Sequence, residues 1–289
     1  MTKFESKDFS LKVNNTEQRL YKFDCINGMS KLEEGSVDVV VTSPPYNLGT
    51  TYEGYDDKLE RADYLNWMRK WGAAVSRVLS DKGSLFLNIG GKPSDPWGPF
   101  EVLFELRKQF ELQNTIHWIK SIAIGKEDVG RKTHFEKNIS IGHYKPINSN
   151  RYINDCQEYI FHLTKSGEVH LDRLAIGVEY QYKSNISRFG TTDRPDLRCR
   201  GNTWFVPYKT IKNRTQQRPH PATFPIKIPQ RCIQLHGISN TKLVMDPFMG
   251  IGHTAAACMQ LGVNCIGFEI ANDYFEESIR MLKEISNQE

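Results

Sequence analysis

Residues 244–258 read VMDPFMGIGHTAAAC: an apolar strand, a glycine turn and the start of a helix. Gly250 and Gly252 form a G-x-G that lets the backbone turn tightly and come close to a ligand, while the helix behind it offers its positive N-terminal end. The next strand, CIGFEI, ends in a carboxylate, Glu269, 17 positions beyond Gly252. That placement suits a group accepting hydrogen bonds from the two hydroxyls of a ribose. The third glycine of the dinucleotide fingerprint is missing, with Ala255 and Ala256 in its neighbourhood. A nucleoside-containing cofactor without a pyrophosphate therefore fits better than NAD, and S-adenosylmethionine is one.

Working outward, strand and helix patterns alternate at both ends of the chain. A helix near 225–236 precedes the strand KLVMDPF, a helix runs from His253 to Gln260, and a last helix covers about 272–286. Toward the amino terminus, QRLYKFD (18–24) and VDVVVT (37–42) read as strands separated by a helical turn around Met29 to Leu32. Tyr64, Trp67, Trp71, Val75 and Leu79 recur at three-to-four spacing over 61–80, which predicts an amphipathic helix with the tryptophans in the core. GSLFLNIG and TIHWIKS read as strands around a helix at 99–110, and Trp118 is expected to be core. Periodicity fades from about 121 to 200, except for the strand-like EYIFHLTK at 158–165, and structureless loops of that length are rare unless functional. The pattern predicts an α/β fold, a Rossmann-like, doubly wound, mostly parallel sheet carrying an insertion.

The strand at 37–42 runs directly into Ser43-Pro44-Pro45-Tyr46-Asn47. Prolines stop strands, because each lacks an N–H and pushes the preceding residue out of the helical region. That explains the stop. It does not explain a hydroxyl, two rigid residues and an aromatic ring displayed at a strand's carboxyl end, where open α/β sheets bind their ligands.

At 289 residues the chain can bury a sizeable core, and its six cysteines are scattered without a C-x-x-C pair. Neither a disulfide framework nor a metal site is expected. No 18-residue apolar run occurs and the opening residues lack a signal peptide's apolar centre, so a soluble cytoplasmic protein with no membrane partner is expected. The formal charge of +4 is unevenly spread: Lys183 to Arg218 holds nine basic residues against Asp193 and Asp196. Such a face suits a polyanion, although a basic run is more often only a solvated surface.

Together and in this order, TSPPYN and DPFMGIGHT resemble the amino-methylating DNA methyltransferases of restriction-modification type, in the permuted (beta) group whose catalytic motif precedes the cofactor motif. The likeness spans nearly the whole chain, and HPATFPIKIPQRCI (220–233) is similar to the family's motif beside the cofactor's methionine part. The resemblance implies methyl transfer from S-adenosylmethionine to the exocyclic amine of a base flipped out of double-stranded DNA. It implies catalytic roles for Ser43, Pro44, Pro45 and Tyr46. Cofactor contacts would come from Asp24, Cys25, Asp246, Phe248, Gly250, Gly252, Thr254 and Glu269, completed by His220, Pro221, Phe224 and Pro225. Arg188, Arg194, Arg198, Arg200, Lys209, Lys212 and Arg214 would face DNA. Residues 1–120 would form the catalytic half, 121–215 the target-recognition region and 216–289 the cofactor-binding half. A companion restriction endonuclease and a monomeric or homodimeric state are both compatible with it.

Ser43 and HPATFP are similar to the cytosine-N4 version of the family, whereas Asn47 resembles the adenine-N6 version. Cytosine N4 is therefore the expected target, with adenine N6 as the alternative. His253 stands where the family usually carries Ser or Thr. A cytosine-C5 enzyme would need an attacking thiol in a Pro-Cys dipeptide, which is absent. RNA and protein methyltransferases sharing such a loop usually place the cofactor motif first, and a catalytically silent DNA-binding subunit need not keep Ser43, Tyr46, Gly250 and Glu269.

Overall fold

The computed structural model describes residues 7–52, 54–129, 137–142, 148–181, 196–207 and 223–287. Nine strands form one sheet: β1 (Asp8–Val13), β2 (Thr16–Lys22), β3 (Val37–Thr42), β4 (Leu79–Ile89), β5 (Glu111–Ile119), β6 (Gln157–Thr164), β7 (Thr203–Phe205), β8 (Leu243–Asp246) and β9 (Asn264–Glu269). Their spatial order is β1-β2-β9-β8-β3-β4-β6-β5-β7. Only β1 and β6 run against the rest, which makes the sheet mostly parallel, as expected. Both faces are covered, because alternate residues of the central strands feed two separate cores. Val39 and Val41 pack with helices α4 (Lys227–His236), α5 (His253–Leu261) and α6 (Asn272–Ser286). Val40 points to the opposite face, toward α1 (Cys25–Ser30), α2 (Arg61–Val78) and α3 (Gly98–Leu106).

The strand order sets the place of the site. From β8 the chain crosses through α5 to its neighbour β9, and from β3 it crosses through α2 to its neighbour β4 on the other side. Two crossovers of one hand that leave in opposite directions must lie on opposite faces, and they leave a crevice at the carboxyl ends of β8 and β3. The two segments singled out in the sequence, 244–258 and 37–47, meet at this crevice.

Several details differ from the sequence reading. A hairpin strand, β1, was not expected; it is made by Asn14 and Asn15, whose φ angles of 48° and 66° give the two-residue turn that suits a right-twisted ribbon. The region expected to be a variable insertion supplies β7, where Trp204 is buried and the strand pairs in parallel with β5. Trp71 and Trp118 are core residues as expected. A buried polar cluster fastens α4 to the sheet: the Ser84 hydroxyl lies 2.9 Å from both His162 Nε2 and His236 Nδ1. Among the described residues no helix is long and apolar enough to cross a membrane.

Candidate active site

Asp246, the last residue of β8, is buried and holds the crevice together. Thr42 Oγ1, at the end of β3, donates to its Oδ1 over 2.7 Å, Thr254 Oγ1 in α5 donates to its Oδ2 over 2.6 Å, and the Phe248 amide donates over 3.1 Å. Burial pushes the carboxyl up to about 6 against the pull of these donors. Behind Asp246 the chain turns through Gly250 and Gly252, at φ 54° and 87°, conformations in which side chains are strained. At Gly252 a Cβ would also stand 2.9 Å from the Ser278 side chain, so glycine is required twice over.

An open cavity of about 1040 Å³, a figure that includes solvent at its mouth, lies over these turns. Its lining includes Gly250, Glu269, Asp24 and Cys25 together with Ser43, Pro44, Pro45 and Tyr46. The Glu269 carboxylate is oriented by the Gly250 amide (2.8 Å) and the Ala271 amide (2.9 Å), and burial raises its pKa to about 6. Asp24 lines the cavity and also caps α1, its Oδ1 accepting from the Asn27 amide over 2.8 Å. Cys25 lines the same wall, with its thiol pushed up by burial, so it is an inert packing group. Phe248 and Phe224 line the cavity, and Phe248 is supported by ring contacts with Trp67 and Trp71 at 5.6 and 5.7 Å. Trp67, expected in the core, reaches the cavity wall beside Tyr55.

Not every expected residue reaches this space. Asp246 and Thr254 are buried and bonded to each other, Asp246 also accepting from Thr42; neither they nor Gly252 and Pro225 line the cavity. His220, Pro221, Arg188, Arg194, Lys209, Lys212 and Arg214 lie outside the described residues. Arg198 is exposed in a short ribbon, Val178–Glu179 with Leu197–Arg198, while the Nε of half-buried Arg200 donates to the Ile176 carbonyl over 2.8 Å.

The Ser43–Tyr46 loop is held from below. Tyr64 Oη donates to the Pro45 carbonyl over 2.9 Å, and buried Asp57 accepts from the amides of Asn47, Leu48 and Thr50 at 2.8, 3.1 and 2.9 Å. Asn47 sits at φ 58°, and its side-chain amide both donates to the Leu59 carbonyl and accepts from the Leu59 amide, each over 2.8 Å.

Three polar residues absent from the sequence reading cluster beside the Ser43–Tyr46 loop. Asn88 Nδ2, near the end of β4, is 2.7 Å from both Tyr46 Oη and Glu158 Oε2, and Tyr46 Oη is 2.7 Å from Ser43 Oγ. Lys120 pairs with Glu158 at 2.9 Å. Each stands at or near the carboxyl end of a parallel strand or at the start of the reversed β6, the one place where a sheet can gather them. Local patterning could not reveal the cluster, because its members come from four separate segments.

The cavity thus combines a carboxylate suited to ribose hydroxyls, apolar and aromatic walls, and a hydroxyl beside a rigid ring. Among the described residues no group of three His, Cys, Asp or Glu side chains could hold a metal ion. A family model described as DNA methylase matches residues 37–280. The type II methyltransferase M.HpaI of Haemophilus parainfluenzae is 26% identical over 263 residues, covering 90% of this chain and 72% of its own. The DNA adenine methyltransferase YhdJ of Escherichia coli strain K12 is 24% identical over 274 residues, covering 94% and 84%. The solved PvuII DNA methyltransferase, described as cytosine-N4-specific, superposes with a TM-score of 0.62 at 20% identity over 94% of this chain and 92% of its own.

Proposed function

The chain belongs to the DNA methylase family that modifies the exocyclic amine of adenine or cytosine, and we propose that its target is N4 of cytosine. It is an S-adenosylmethionine-dependent DNA methyltransferase of restriction-modification type, acting on double-stranded DNA. The observation that carries the choice of base is the bonding of Asn47. This residue is the feature that resembles adenine-modifying relatives, yet both ends of its amide are engaged by the Leu59 backbone and its positive φ favours asparagine over most side chains. Its identity is accounted for by the loop and carries no information about the base. What remains is Ser43 and HPATFP, both on the cytosine side, in line with the cytosine-N4 specificity of the PvuII enzyme.

The cavity fits the cofactor in its own chemistry. Glu269, fixed by two backbone amides, would accept the ribose hydroxyls, Phe248 and Phe224 would cover the apolar parts, and Asp24 would contact the adenine or its ribose. When bound, the cofactor supplies an electrophilic sulfonium methyl. The amine of a flipped base is a poor nucleophile, because its lone pair is conjugated with the ring. Ser43 Oγ and the Pro44 carbonyl would accept its two N–H hydrogens and draw the nitrogen toward tetrahedral geometry, and the prolines hold these acceptors in place. The Tyr46 ring would stack on the base, a contact of about 1–3 kcal/mol in single-strand systems. The flip itself costs a few kcal/mol.

Target recognition falls to the 121–215 region in this reading, and exposed Arg198 fits a contact with phosphate. The type II designation of M.HpaI supports a companion restriction endonuclease and work on cytoplasmic DNA. Digesting DNA methylated with labelled cofactor and separating its nucleosides tests the choice of base. Label in N4-methylcytosine is the expected result, and label in N6-methyladenine alone would overturn it.

A further inference from the structure

The hydroxyls of Ser43 and Tyr46 belong to a chain that ends on a carboxylate. Ser43 Oγ and Tyr46 Oη are 2.7 Å apart, Tyr46 Oη is 3.0 Å from Glu158 Oε2, and Glu158 Oε1 is 2.9 Å from Lys120 Nζ. Asn88 Nδ2 approaches Tyr46 Oη and Glu158 Oε2 at 2.7 Å and Ser43 Oγ at 3.3 Å. Each hydroxyl has one proton, whereas an ammonium and an amide nitrogen can only donate and an ionised carboxylate can only accept. Glu158 faces donors on both oxygens. It therefore takes the Tyr46 proton, Tyr46 must accept from Ser43, and the Ser43 proton is committed to Tyr46. A lone pair of Ser43 is left facing the target amine.

The Asn88 amide bears this out. Its Oδ1 is buried with no partner among the described residues. Turned over, however, that oxygen would stand against the Glu158 carboxylate. The nitrogen is thus committed to the chain.

We propose that Glu158, held by Lys120 and Asn88, is a positioning residue that fixes the direction of this hydroxyl chain, so that Ser43 meets the amine only as an acceptor. The proposal rests on the role given to Ser43 above. It makes Glu158→Gln, which keeps the size of the side chain, a test of direction. With the glutamine carbonyl on Lys120, its NH2 faces both Tyr46 Oη and Asn88 Nδ2, so a donor replaces the acceptor that took the Tyr46 proton and the direction of the chain is no longer fixed.

The test is single-turnover methylation of a mixture of unmodified duplex DNAs with tritiated S-adenosylmethionine by wild type, Ser43→Ala, Glu158→Gln, Tyr46→Phe and the Glu158→Gln/Tyr46→Phe double variant. Cofactor and DNA affinities and melting temperatures are measured alongside. Expected is a fall of about 10²-fold in the rate of each Glu158 and Tyr46 single variant, the size seen for removing one preorganised hydrogen-bond partner, with both affinities nearly unchanged. The double variant should be no slower than the slower single, because both act through one chain. Glu158→Gln at the wild-type rate, or a double variant that loses the product of the two single effects, overturns the proposal. Should Glu158→Gln fail to fold, Tyr46→Phe decides alone: a slowed rate supports the chain and full activity overturns it. Ser43→Ala at the wild-type rate would instead sink the reading of Ser43, which keeps the two failures apart.

Discussion

Thr42 Oγ1 donates to Asp246 Oδ1 over 2.7 Å, joining the ends of two adjacent parallel strands that lie 204 residues apart in the sequence. The Thr254 hydroxyl binds the other oxygen of the same carboxylate, so one buried group couples β3, β8 and α5.

Replacing that group should therefore be costly to the whole fold. Asp246→Ala leaves two buried hydroxyls and the Phe248 amide without their acceptor, and a loss of roughly 2–4 kcal/mol is expected. Urea denaturation checks it, and an unchanged midpoint would show that the clamp contributes nothing.

Cofactor affinity should depend on pH through Glu269. Its pKa is raised to about 6 by burial, and only the carboxylate form can accept from both ribose hydroxyls. Binding measured by calorimetry should tighten as pH rises through about 6 and level off above 7. Glu269→Gln should weaken binding by about 1.5–3 kcal/mol at pH 7.5 and flatten the profile. A flat profile in the wild type would remove Glu269 from the contact.

Acid should weaken the protein through His162. Burial first, and then His236, hold its pKa down to about 3 in the folded state, against about 6.5 in an unfolded chain. Its contribution is complete above pH 6.5. It is lost progressively as pH falls toward 3, because the unfolded chain binds a proton that the folded chain refuses. Asp246 and Glu269, with raised pKa values, act in the opposite sense below 6. The His162 share is therefore read as a difference: denaturation midpoints of wild type should fall more steeply between pH 6.5 and 4.5 than those of His162→Gln.

DNA affinity should be sensitive to salt through the basic region. Each phosphate contact removed lowers the logarithmic salt slope by about 0.9 in duplex DNA. Arg198→Ala is expected to lower it by about one such unit, while Arg200, tied to the Ile176 carbonyl, should matter less. Equal slopes for wild type and Arg198→Ala would place Arg198 away from the DNA.

Seven of the nine strands of the sheet were legible because each carries its own apolar pattern, and the glycine turn and Ser43–Tyr46 were legible because they interrupt such patterns. The Asn14–Asn15 turn was overlooked although its residue type is a local signal. β7 could not be read, since its three residues are held by pairing with β5 and by burial of Trp204 rather than by a pattern of their own. Asp57, Asn88, Lys120 and Glu158 look like ordinary polar residues in the sequence, and only the folded sheet gives them partners.

The strand order also bears on how the protein is made. β2 and β3 follow each other in the chain, yet β9 and β8 lie between them in the sheet. A nascent chain emerging from the ribosome therefore carries β3 with one edge open until Asp246 has been synthesised. At roughly 5–20 residues per second, those 204 residues take about 10–40 s. During that interval an apolar strand edge is open to strands of other chains, so aggregation in a crowded cell should depend more on translation speed and chaperone supply than on the stability of the finished fold.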